Sequence, residues 1–400
     1  MLAAAAMTTL GALPVFLLSA QAVLVREELH FSEPQLGLAV SVFFAAAALA
    51  SMFAGALVER LGRRRGTIIA GGLAATDTLL VALVADSFGI LLALLVLGGL
   101  ANAMLQMTAN IALARSVNPG RQGLAFGVKQ SAVPVAILLG GVAVPTVGVV
   151  VGWRWTFVAA AVAALVVMVA GLRIPRSSGT RAAPGAPRDR PPRGALLVSF
   201  LAMTLASAAV NSLGAFLPAW AFRVGIDPGT AGLLLAAASA LSVLTRVTTG
   251  ILADRRRGRN FPVVSTYIAL GSVGMVLISF ADVRTLVIGA LVAFAIGWGW
   301  PGLFLFAVVR IGRDSPAAAT GAVQAGAFAG GAAGPLLFGL LVAAAGYPVA
   351  WRTSAVVLVG AALLLMVARG MFVSDLSRRP PRRPLDTLDP PPGTTVSPEH

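Results

Sequence analysis

The chain has 400 residues, of which 58% are hydrophobic and 11% charged, and its mean hydropathy is +0.89; no water-soluble domain of this size tolerates such a surface, so lipid must be the solvent for most of it. It carries a formal charge of +15, no cysteine, and two histidines, His30 in a short predicted loop and His400 at the end. That excludes disulfides, thiolate metal sites and cysteine nucleophiles, and it leaves no histidine cluster for a metal or a Ser-His-Asp site.

Long apolar runs exclude the ten-residue alternating strands of a membrane barrel, so the spans are helices that satisfy their own backbone. Apolar stretches of about 20 residues between charged or turn-forming breaks predict twelve of them. The first six run over 3–25, 36–58, 67–85, 88–112, 123–151 and 154–172, the second six over 195–221, 230–253, 262–281, 285–309, 317–345 and 349–368. The fold class is therefore an all-α membrane protein of two pseudo-symmetric six-helix halves, 1–173 and 195–373. Between them, 174–194 (IPRSSGTRAAPGAPRDRPPRG) is too rich in Pro, Gly, Ser and Arg to form a core or a span and reads as a flexible linker; 374–400 reads as a disordered tail. Ala20-Gln21-Ala22 resembles a signal-peptidase site, but no positive charge precedes it, so the segment is kept as helix one.

Arginine follows loop parity. With the N-terminus inside, the inner loops and tail hold 23 arginines and the outer loops five, Arg26, Arg154, Arg223, Arg284 and Arg352. The positive-inside rule then predicts both termini cytoplasmic, and topology explains the net charge without a nucleic-acid partner; the preference for arginine, with Lys129 the only lysine, and the excess of Ala, Gly and Val suggest a GC-rich bacterial genome and hence an inner-membrane protein.

The halves repeat each other. GALVERLGRRR from Gly55 and GILADRRRGR from Gly250 pair Gly55 with Gly250, Glu59 with Asp254 and Arg60 with Arg255 at a spacing of 195; GVKQ at 127–130 pairs with GAVQ at 321–324, and Trp153-Arg154 with Trp351-Arg352. These residues resemble the major facilitator superfamily, whose signature loop G-x-L-x-D-R-x-G-R-R/K lies between helices two and three and returns, weakened, between helices eight and nine. The resemblance implies an alternating-access secondary transporter for a small molecule, with no enzymatic activity and no cofactor. It implies that Glu59, Arg60, Arg63, Asp254 and Arg255 form charge relays closing one face. Gly55 and Gly250, lacking side chains, permit close backbone approach.

The resemblance also implies a central cavity lined by helices one, four, seven and ten. Helix four offers Asn102, Gln106 and Asn110 at a spacing of four, and helix seven offers Thr204, Ser207 and Asn211. Such stripes suit either hydrogen bonding to a polar solute or bonding between helices. In helix ten, GWGWPG at 297–302 predicts a kink beside Trp298 and Trp300, since Pro301 cannot donate to the Gly297 carbonyl. Glycines 321, 326, 330, 331 and 334 in helix eleven read as a close-packing face, and Asp77 is the one acid well inside a span.

Lys129 and Arg246 lie about 9 and 12 Å from the inner ends of helices five and eight. Either both snorkel, or, if the family's facing of these helices holds, they form a cationic pair relieved by an anion. A small organic or inorganic anion is then the preferred substrate, bound by Asn102, Gln106, Asn110, Lys129, Gln130, Asn211, Arg246, Trp298 and Gln324, with a proton as possible coupling ion and a monomer as the functional unit. Drug–proton antiporters of the superfamily carry a glycine–proline motif in helix five, where this chain has a different pattern (Lys129, Pro134, Gly140, Gly141, Pro145), which argues against drug efflux. Efflux of a drug or metabolite and a non-transporting receptor on the same fold remain the alternatives.

Overall fold

The computed structural model describes residues 1–114, 121–174, 191–255, 260–311, 313 and 316–380, and every regular element among them is helical. The linker and tail readings fall largely on 175–190 and 381–400, and Arg256, Arg257 and Arg259 of the second motif on 256–259, outside the described residues.

Span one is α1 (Leu2–Ala20) followed, after a break at Gln21, by α2 (Ala22–Leu29). Then comes α3 (Glu33–Val84), 52 residues long. A straight helix of that length would reach about 78 Å, more than twice the hydrocarbon core. It is two spans meeting at Gly62, whose φ of 74° and ψ of 163° are non-helical, and across the bend Val58 packs on Gly66. The loop expected over 59–66 is thus helical on both sides of one glycine. Glu, Leu and Arg are good helix formers and hold the helix, and glycine takes a positive φ without a Cβ clash.

The next elements are α4 (Phe88–Ala114), then span five in pieces, α5 (Gln122–Gln130), α6 (Ala132–Ala143), a π-turn at Val144–Gly148 and α7 (Val149–Val151), and then α8 (Trp153–Leu172). The second half has α9 (Arg193–Arg223), α10 (Pro228–Arg255), α11 (Asn260–Ile278), span ten as α12 (Val283–Val292), a π-turn at Ala293–Gly297 and α13 (Pro301–Ile311), then α14 (Pro316–Ala345) and α15 (Tyr347–Arg378). Eleven of these helical stretches are long and apolar enough to cross a membrane; with α3 counted twice there are twelve spans among the described residues. Apolar side chains also cover the outside: Met52, Phe53, Val150 and Val356 are 70–73% exposed, a surface suited to lipid rather than water.

Two seams join the halves. Along the first, α5 and α6 lie on α10 from end to end. A Cβ at Gly250 would fall 2.6 Å from the Gly123 carbonyl oxygen, one at Gly127 2.5 Å from that of Arg246, and one at Gly141 2.5 Å from that of Gly232. Along the second, α3 meets α14 at the end away from the motifs. There Gly37 abuts the Pro335 carbonyl, Ser41 Oγ accepts from the Leu336 N–H at 3.1 Å, and Phe44 packs on Gly331. Toward the motif end this seam opens, and a Cβ at Gly55 or Gly321 would meet nothing within 4 Å. The close approach expected of Gly55 is therefore absent, while its counterpart Gly250 shows it. Of the helix-eleven glycines expected to form a close-packing face, Gly326, Gly330 and Gly334 press on the carbonyls of Phe200, Thr204 and Ala208 in α9, Gly331 faces Phe44 of α3, and Gly321 stands clear.

Candidate substrate cavity

The breaks in spans five and ten shape the centre. Pro134, three residues into α6, has no N–H to give the carbonyl of Gln130 four residues back, and α5 ends at that residue. In span ten the helix is interrupted between Gly297 and Pro301. Trp298, in the interruption, lays its ring on Gly214 of α9.

Arg246 of α10 fills the gap these breaks leave. It is 2% exposed, so its guanidinium does not snorkel. Nε and Nη2 donate to the Trp298 carbonyl at 2.9 and 2.6 Å, and Nη1 donates to the Gln130 carbonyl of the other half. Its Cζ lies 5.9 Å from the Trp298 ring centroid. Hydrogen bonds to two carbonyls solvate the charge, as a bare cation in hydrocarbon could not be.

Around it lies a cavity of about 70 Å³. Of the nine residues expected to bind substrate, Asn102, Gln106, Gln130, Asn211, Arg246, Trp298 and Gln324 line it. Gln130 Nε2 donates to Gln324 Oε1 at 3.3 Å across the halves, Gln106 Nε2 to Asn102 Oδ1 at 3.4 Å, and Asn211 Nδ2 to the Ser207 carbonyl at 2.8 Å. Helices one, four, seven and ten all contribute, and so do two, five, eight and eleven.

Two expected residues do not line the cavity. Lys129 is buried but absent from the lining. Consecutive helical residues point about 100° apart, so with Gln130 facing inward Lys129 must turn aside. Of the two expected cations, Arg246 alone lines the cavity. Asn110 also lies outside: two four-residue steps carry it about 12 Å along and 80° around from Asn102.

The apolar wall formed by Phe16, Phe44 and Phe328, together with Val133 and Met203, was not foreseen. Phe16 stands edge-on to both Phe44 and Trp298, with centroids 6.4 Å apart in each case. Among so many apolar residues nothing marked these out except, for Phe328, its place one turn beyond Gln324.

The motif copies differ in their contacts. The Asp254 carboxylate accepts from the N–H groups of Gly123 at 2.6 Å and Leu124 at 2.9 Å, capping the first turn of α5, where unpaired donors and the helix dipole favour a negative charge. Glu59 is exposed and has no hydrogen bond or ion pair among the described residues. Arg60 and Arg255 are exposed and Arg63 is half-buried. At the opposite end Glu33 joins Arg26 of its own half to Arg223 of the other, at 3.0 Å for the latter, and Glu28 pairs with Arg154 at 2.6 Å.

Among the described residues, membrane-length helices that meet along glycine seams around a polar and aromatic cavity fit a membrane transporter. The chain belongs to the Major Facilitator Superfamily, whose family model matches it over residues 1–323 and 199–397. It is also similar to a protein of Streptomyces lividans named as a chloramphenicol resistance protein, with 28% identity over 296 residues, covering 70% of this chain and 74% of the relative.

Proposed function

We propose that this chain is a bacterial inner-membrane carrier, acting as a monomer with both termini cytoplasmic, that moves an uncharged or anionic amphipathic solute out of the cell. The observation that carries the reading is the lining of the cavity. Arg246 is its one charged member among the described residues, and it is set among five side-chain amides and an aromatic wall. Such a lining offers donors to an acceptor-bearing molecule and apolar surface to its rings, and it repels a cation. The name of the Streptomyces lividans relative supports efflux of a drug, against the pattern in helix five. Chloramphenicol, neutral and carrying a ring, a nitro group, hydroxyls and an amide, fits this chemistry. The small-anion reading survives as the case in which the guanidinium charge dominates. A proton is the proposed coupling ion.

Expression in a drug-sensitive host and flux in proteoliposomes test this. Chloramphenicol export is expected, with and without an imposed pH gradient to reveal coupling, and no export of a lipophilic cation such as tetraphenylphosphonium. Arg246→Gln is expected to cut export at least tenfold, by removing a charged donor on the order of 1.5–3 kcal/mol. Benzoate flux without chloramphenicol flux would favour the small-anion case. Export of the cation alone would refute both.

A further inference from the structure

The first seam is held by close backbone contact between glycines, with the Val144 side chain set against Gly232. Two sets of polar bonds tie it crosswise: Asp254 on the first turn of α5, and Arg246 on the Gln130 carbonyl. Gln130 is tied twice, because its side chain also donates to Gln324 of the other half. The carbonyl is open to Arg246 because of one residue. In an unbroken helix the N–H at position 134 would hold it, and proline has none. Pro134 is buried, and it is not among the residues that line the cavity.

A guanidinium has five N–H groups in a rigid fork. Three are committed to the Gln130 and Trp298 carbonyls, with both terminal nitrogens involved. A nitro or carboxylate group that engages the fork through two parallel N–H groups competes with these bonds. Trp298 and Arg246 belong to the same half, so giving up part of that contact leaves the seam intact. Losing the Gln130 contact loosens it.

We infer that Pro134 is a positioning residue that couples solute binding to movement: it keeps the Gln130 carbonyl free so that Arg246 bridges the halves, and a solute acceptor that draws the guanidinium away unfastens helix five from helix eight. This rests on the carrier reading above. Solute binding then has a differential effect on two arrangements of the halves, which a shift of equilibrium requires.

The test restores the missing donor. In Pro134→Ala the new N–H bonds to the Gln130 carbonyl, the guanidinium is less tightly held, and chloramphenicol is expected to bind about three- to tenfold more tightly. Maximal transport rate should fall rather than rise, since binding no longer drives the release. The lack of native cysteine permits spin labels at Arg121→Cys and Leu252→Cys, exposed positions just before helix five and on helix eight. In an otherwise wild-type background chloramphenicol should lengthen the distance between them; with Pro134→Ala the distribution should be shifted before ligand is added and change little afterward. Should that variant not fold, Pro134→Ser restores the same N–H and asks the same question: tighter chloramphenicol binding with no ligand-induced lengthening is expected. Wild-type affinity and wild-type lengthening in whichever of the two variants folds would overturn the coupling while the carrier reading stands. Wild-type protein that binds neither chloramphenicol nor benzoate would remove both.

Discussion

Charge at the meeting of the two halves is handled by backbone as much as by counter-charge. Arg246 is solvated by two carbonyls, and Asp254 by two N–H groups of a helix start. Each pairing crosses between halves or reaches a broken helix, where backbone groups are left over. Asp254→Asn keeps an acceptor but loses the charge facing the helix dipole, a change of about 0.3–1 kcal/mol. That should widen the label distance between helices five and eight without solute. Glu59→Gln, at an exposed side chain without partners among the described residues, should leave that distance unchanged. Equal effects in the two variants would show that the paired motifs act alike.

The glycines divide by what their neighbours allow. A Cβ at Gly37 would collide with the Pro335 carbonyl and come within 3.0 Å of Leu336 Cα. Both are backbone and cannot turn aside, so Gly37→Ala should cost about 1–3 kcal/mol, read as a lower melting temperature of the detergent-solubilised protein. Gly55→Ala, on the same helix where the seam has opened, should be neutral or slightly stabilising. Gly62→Ala belongs with the first, because an alanine held at a φ of 74° costs about 1–2 kcal/mol. A melting temperature unchanged in Gly37→Ala would mean that the α3–α14 contact is looser than described.

The molecule is pinned at its two ends by different chemistry. Glu33 holds two arginines across the end away from the motifs, while glycine contact and the Asp254 cap hold the motif end on one seam only. Glu33→Gln is expected to favour opening at the Glu33 end, seen as faster labelling of a cysteine placed at Asn211 by an impermeant maleimide added from outside. Slower labelling would assign the Glu33 cluster another role. For orientation, a cysteine at Asp189 should be protected in intact cells and one at Asp227 labelled; the reverse would invert the proposed topology.

Hydropathy, arginine parity and the 195-residue repeat were enough to give the membrane class, the number of spans and the superfamily, because each depends on how a segment partitions between water and lipid or on comparison of the halves. The amide stripe was legible for the same local reason: helical spacing puts Asn102 and Gln106 on one face. Which face meets the cavity was not local. Lys129 and Gln130 are neighbours in the chain, yet one lines the cavity and the other does not, and that follows from how helix five rolls against helix eight. The motif copies read almost alike, but one acid caps a helix and the other stands exposed, because the seams are closed in one place and open in the other. Arg246 was visible as a buried cation, and only the tertiary structure could assign its partners: two carbonyls, 116 and 52 residues away along the chain, one left without an N–H donor by Pro134 and the other set in the break of span ten.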